Sequence, residues 1–178
     1  MAFALCSFFL LLGISGLLPG ASSNPLNHWK KIRCPSGYTQ LDCHCYQFRA
    51  GPSSFVDAEL DCIGSGGNLA SIPNKLANIV VQELLREGSA STGWFGLHDA
   101  ILDDDFIWTD GSSTDFRNFA DMEPNDTGNC VEMVVSSGEW EDEDCASSFP
   151  YVCVLDVCHG SKSDDSSPCP SSPTETAT

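Results

Sequence analysis

Glu123-Pro124-Asn125 and Trp140-Glu141-Asp142, the second triplet lying between Cys130 and Cys145, decide how this chain reads. They set three carboxylates and an amide on two short segments that a bridge between the two cysteines would hold together. Carboxylate and amide oxygens are hard ligands of the kind Ca²⁺ takes, six to eight at a time. A neutral sugar can complete such a shell with a pair of hydroxyls while the same side chains hydrogen-bond it. The chemistry points to calcium-dependent carbohydrate binding.

The charge around these triplets is one-sided. The chain carries 25 Asp or Glu against 8 Lys or Arg, a net charge of −17. From Asp99 to Asp144 fifteen acidic residues face a single basic one, Arg117, a local balance of −14. A solvated face accounts for part of this, yet like charges crowded into one segment repel, and bound cations relieve that. Nucleic acid and anionic membranes are disfavoured as partners. Cations, mineral surfaces and neutral glycans remain.

Residues 1–23 read as a signal peptide. An apolar run from Ala4 to Leu12 and Leu17-Leu18 is followed by Pro19-Gly20-Ala21-Ser22-Ser23, small residues suited to cleavage. The run is short for a membrane span and is weakened by Gly13, Ser15 and Gly16. The mature protein is therefore expected to be secreted, with no membrane insertion. Of the 10 cysteines, Cys6 leaves with the signal. The remaining nine enter an oxidising compartment where disulfides form, and an odd number leaves at least one thiol free or paired with another chain.

Two short strands around a turn are expected from Cys34 to Phe48, and a Cys34–Cys45 bridge would close that hairpin. Ser53 or Ser54 can cap a helix from about Phe55 to Ile63, ended by Gly64 and Gly66-Gly67. A second helix starts after Pro73-Asn74, where Leu76, Ile79, Val80 and Leu84 form a stripe expected to face the core. Beyond Gly93 the strand candidates are 94–97, 106–108, 131–135 and 151–154. The segment from Thr109 to Asn129 has neither period, and a long structureless loop in a compact domain usually has a function.

From Cys34 to about Leu155 these residues resemble the C-type lectin-like domain family. The Cys34-Pro35 and Cys45-Tyr46 opening resembles its long form, and Trp94-Phe95-Gly96-Leu97 resembles its W-I-G-L core strand. The resemblance implies an α+β fold, two helices with small antiparallel sheets and a long calcium-binding loop region, over residues 34–155. Residues 24–33 are then a leader, and 156–178 a Ser/Thr/Pro-rich tail too polar to bury a core. It also implies the bridges Cys62–Cys153 and Cys130–Cys145 beside Cys34–Cys45.

At the principal calcium site the resemblance implies Glu123, Asn125, Glu141 and Asp142 as ligands of both Ca²⁺ and the sugar, with Pro124 cis. The E-P-N order goes with mannose-, fucose- or N-acetylglucosamine-type diols, because Glu123 only accepts hydrogen bonds while Asn125 donates one. Asp99, Asp103 and Asp126 align with the ligands of an auxiliary calcium site. The chain departs from the family in three places. Glu141 stands where Asn is usual, Gly128-Asn129 replace the usual acid before Cys130, and Asn125-Asp126-Thr127 is itself an N-glycosylation sequon.

Cys43, Cys158 and Cys169 have no partners in the family pattern. A Cys43–Cys158 bridge would leave Cys169 for a disulfide-linked second subunit, one assignment among those the sequence leaves open. No nucleophile elbow, phosphate loop or HExxH is present, and Glu141 and Asp144 read as members of a polar loop with nothing to raise a carboxyl pKa. Catalysis is not expected. The rival to a sugar-binding lectin is an acidic member of the same family that binds mineral, ice or a protein partner.

Overall fold

The computed structural model describes residues 33–158. The signal segment, residues 24–32 of the leader, Cys169 and the tail beyond 158 lie outside the described residues.

A hairpin opens the domain, β1 (Thr39–Leu41) against β2 (His44–Ser53), with a Cys34–Cys45 disulfide across it. Ser54 then caps α1 (Phe55–Gly64), its hydroxyl accepting from the Asp57 N–H at 3.2 Å. After the two-residue β3 (Asn68–Leu69), Asn74 caps α2 (Lys75–Glu87) by accepting from the Leu76 and Ala77 N–H groups at 3.0 Å. Then come β4 (Thr92–His98), β5 (Ile107–Trp108), β6 (Cys130–Val134), β7 (Glu139–Glu143) and β8 (Phe149–Asp156).

The strands form one mixed sheet in the order β1-β2-β8-β4-β6-β7, with β3 on β8 and β5 on β4. The β4–β8 pairing, at Trp94 opposite Tyr151, is parallel, and the others are antiparallel. The fold is α+β. Side chains alternate along a strand, so neighbours on β4 and β6 enter different cores. Trp94 and Cys130 pack with Phe55, Ala58 and Cys62 of α1. Phe95, Val131 and Met133 pack with Ala77, Val81 and Leu85 of α2. Each helix covers one face. Cys62–Cys153 ties α1 to β8, and Cys43–Cys158 joins the two ends of the described chain.

Two expectations are corrected. The stripe of α2 that faces the core is Ala77, Asn78, Val81 and Leu85, whereas Leu76 and Ile79 are exposed. The buried side is rotated by one residue because Ala77 lets the helix approach the sheet and Asn78 finds polar partners inside, which apolar periodicity cannot see. The second correction concerns Glu141, which lies in strand β7 rather than in a loop. Its ladder to β6, with Glu132 opposite Glu141 and Met133 opposite Trp140, supplies backbone bonds that outweigh the low strand preference of acidic residues. Among the described residues no helix is long and apolar enough to cross a membrane.

Candidate functional site

Trp140 anchors the site from below. It is fully buried, and its indole N–H donates to Asn78 Oδ1 at 2.7 Å. Asn78 Nδ2 in turn donates to the Gly138 carbonyl at 2.9 Å. The Trp140 backbone holds the long loop along β7: its N–H donates to Asn118 O, and its carbonyl accepts from Ala120 N–H, both at 3.0 Å. From there a turn closed by Glu123 N–H on Ala120 O, at 3.1 Å, leads into the cis Glu123–Pro124 peptide.

Asp142 is the hub. Its side chain is buried on the same face of β7 as Trp140. Oδ1 accepts from the Asn125 N–H at 2.6 Å, and Oδ2 accepts from the Gly128 N–H at 3.0 Å and the Thr127 hydroxyl at 3.3 Å. The Thr127 hydroxyl also lies 2.9 Å from the Asp142 carbonyl. Gly128 is required here, because a Cβ would collide with the Glu143–Asp144 backbone. That close approach leaves no room for an acidic side chain at position 128. The Cys130–Cys145 disulfide closes the far end of the β6–β7 pair.

Glu123 and Asn125 meet at this hub, the Asn125 amide donating to Glu123 Oε1 at 2.7 Å. The second oxygen, Glu123 Oε2, is buried without a hydrogen-bond partner. Burial, reinforced by the neighbouring Asp142 carboxyl, pushes the Glu123 carboxyl above its ordinary range. At Asp142 burial works the same way but is outweighed by the Asn125 and Gly128 N–H donors, which hold its carboxyl below the ordinary range. Two carboxylates pressed together, one with an orphaned oxygen, are relieved by a proton on Glu123 or by a cation. An all-oxygen donor set of this kind fits Ca²⁺.

Glu141 follows Trp140 on β7, with Glu132 directly opposite and Glu143 two residues along. Glu132 is buried there, and burial pushes its carboxyl up to about 7; a bond from the Thr92 hydroxyl opposes the shift, and the Glu143 and Glu141 charges add to it. Glu132 gave no sequence signal beyond its place in a strand of apolar residues.

Asp99, Asp103 and Asp126 line one pocket of about 430 Å³ with Asp104, Thr127, Gly128 and Asn129. Asp99 is buried and holds the rim together, accepting from Asp104 N–H at 2.9 Å and Asn129 Nδ2 at 3.2 Å. Asp104 is not distinguishable in sequence from its neighbours in the Asp103-Asp104-Asp105 run; the fold gives it a left-handed backbone, φ 67°, and sets its N–H on Asp99. Among the described residues no three His, Cys, Asp or Glu side chains stand close enough together to hold a metal ion by themselves. At the Asp142 hub two carboxylates and the Asn125 side chain come together, with Asn125 Oδ1 accepting from the Thr127 N–H at 3.1 Å.

The family model for the lectin C-type domain matches residues 51–155. The chain belongs to the C-type lectin domain family. This C-type lectin domain is 31% identical over 157 residues to human lithostathine-1-beta, spanning 83% of this chain and 95% of that protein. The cow carbohydrate-recognition domain of CD23, solved in the presence of a GlcNAc2Man3 oligosaccharide, is 31% identical with a TM-score of 0.63. That match covers 70% of this chain and 96% of the CD23 chain. A calcium-independent type II antifreeze protein superimposes with a TM-score of 0.67 at 26% identity, covering 72% of this chain and 98% of its own. The scaffold thus accompanies more than one kind of ligand, and the site residues have to choose between them.

Proposed function

We propose that this C-type lectin domain is a secreted, calcium-dependent carbohydrate-binding protein that takes mannose-, fucose- or N-acetylglucosamine-type diols in extracellular or innate recognition. The observation that carries this reading is the convergence of Glu123, Asn125 and Asp142 across the cis Glu123–Pro124 peptide, with Glu123 Oε2 buried and unpartnered. Calcium, when bound, supplies the positive charge that makes a pair of sugar hydroxyls into ligands. Glu123 then accepts from one hydroxyl and Asn125 donates to the other. Glu141, next to Asp142 on β7, is assigned as a further ligand that calcium would draw into the shell. Asp99, Asp103 and Asp126 are assigned to an auxiliary cation that steadies the loop beneath the principal site.

Extracellular calcium modules bind at about 10⁻⁴ to 10⁻³ M, and a single shallow sugar site gains from linked copies. With eight cysteines bridged to one another, Cys169 is the thiol of the mature chain assigned to a disulfide-linked homo-oligomer. Glycosylation at Asn125 and use of this site exclude each other, since the amide nitrogen a glycan would occupy donates to Glu123.

The test is a glycan array probed with the mature protein, first in calcium and then in a chelator. Chelator-sensitive signals on mannose- or fucose-type glycans support the lectin reading. Silence in both conditions, with calcium still bound by calorimetry, turns it to the second reading, a mineral-, ice- or protein-binding domain. The −14 balance between Asp99 and Asp144 and the antifreeze neighbour favour that alternative.

A further inference from the structure

Met122 breaks two rules at once. It is the third residue of the turn closed by Glu123 N–H on Ala120 O, and its φ is +70°. A turn with positive φ at that position takes Gly or Asn, which adopt it without strain. Its side chain is also 90% exposed, so the core gains nothing from an apolar residue here. Neither local backbone preference nor packing accounts for methionine, and both anomalies fall on the residue next to Glu123. Consecutive Cα atoms are about 3.8 Å apart, and a thioether on three rotatable bonds adapts to irregular partners. Met122 thus sets an exposed, adaptable apolar side chain one residue from Glu123.

We propose that Met122 is a specificity residue: it contacts an alkyl or acyl group carried beside the bound hydroxyl pair, and so selects glycoconjugates over bare sugars. The proposal rests on the carbohydrate reading above. Glu123, Asn125 and Asp142 hold the polar end of the ligand, and Met122 removes an adjoining apolar group from water.

The experiment compares methyl and n-butyl α-mannopyranoside by calorimetry in calcium, for the natural chain and for Met122→Ala, Met122→Gly and Met122→Leu. Partial burial of the extra methylenes makes the butyl glycoside bind about tenfold tighter to the natural chain. Met122→Ala and Met122→Gly bring that ratio to near one, and Met122→Leu keeps most of it. Met122→Gly relieves the backbone, so an unchanged or higher Tm separates lost contact from lost folding. A butyl preference that survives in the Ala and Gly variants overturns the Met122 assignment alone, as does equal binding of the two glycosides by the natural chain. Binding of neither glycoside by the natural chain overturns the sugar reading and this inference with it.

Discussion

The Asn125 N–H donates to Asp142 Oδ1 at 2.6 Å across 17 residues of sequence. One bond thus joins the loop that carries Glu123 to the strand that carries Trp140. With the Gly128 N–H and the Thr127 hydroxyl on Oδ2, the same carboxylate organises the loop and belongs to the candidate site.

Asp142→Ala is expected to lose both. Removing a charged acceptor that serves backbone donors costs about 2 kcal/mol of stability, and chelator-sensitive calcium binding disappears. Thermal unfolding in chelator reads the first effect and calorimetry in calcium the second. A variant with unchanged Tm and calcium affinity would remove Asp142 from the hub.

Glu123→Gln combined with Asn125→Asp exchanges acceptor and donor around the same cis proline. Preference is expected to move from mannose-type to galactose-type diols. The measurement is competition of both monosaccharides against an immobilised glycan. Unchanged preference would mean that loop shape outside this pair sets specificity.

Glu132 makes stability depend on pH with a sign opposite to that of paired carboxylates. Its folded carboxyl titrates near 7, up from an ordinary 4.5, through burial first and then the Glu143 and Glu141 charges. Its contribution is complete below pH 4.5 and is lost as pH rises through about 7, an effect on the order of 2 to 3 kcal/mol. Glu132→Gln keeps the shape and the Thr92 contact while removing the titration. Denaturant midpoints between pH 4.5 and 8 in chelator should fall with pH for the natural chain and be flatter for the variant.

Asn78→Ala leaves the buried Trp140 indole N–H without a partner, while the Gly138 carbonyl keeps its bond from Asn118 Nδ2 at 2.7 Å. A loss of about 2 to 3 kcal/mol is expected, together with weaker calcium binding because Trp140 positions Asp142. Tm and calcium titration report the two effects. Intact calcium affinity at reduced Tm would confine Asn78 to the core.

The residues that set the fold class were legible because each acts locally. Ser54 and Asn74 cap helices within three residues of themselves, and Trp94 to Leu97 alternate into two cores within a single strand. Glu123 and Asn125 were legible as a pair for the same reason, since only Pro124 separates them. Tertiary structure decided what depends on partners distant in the chain. The buried side of α2 was set by Asn78 bonding to Gly138 and Trp140, about 60 residues away. The burial of Trp140 and Asp142 was set by the β6–β7 register, because one step along a strand reverses the face. Side-chain identity supplied the donors and acceptors, and long-range backbone pairing chose which of them meet.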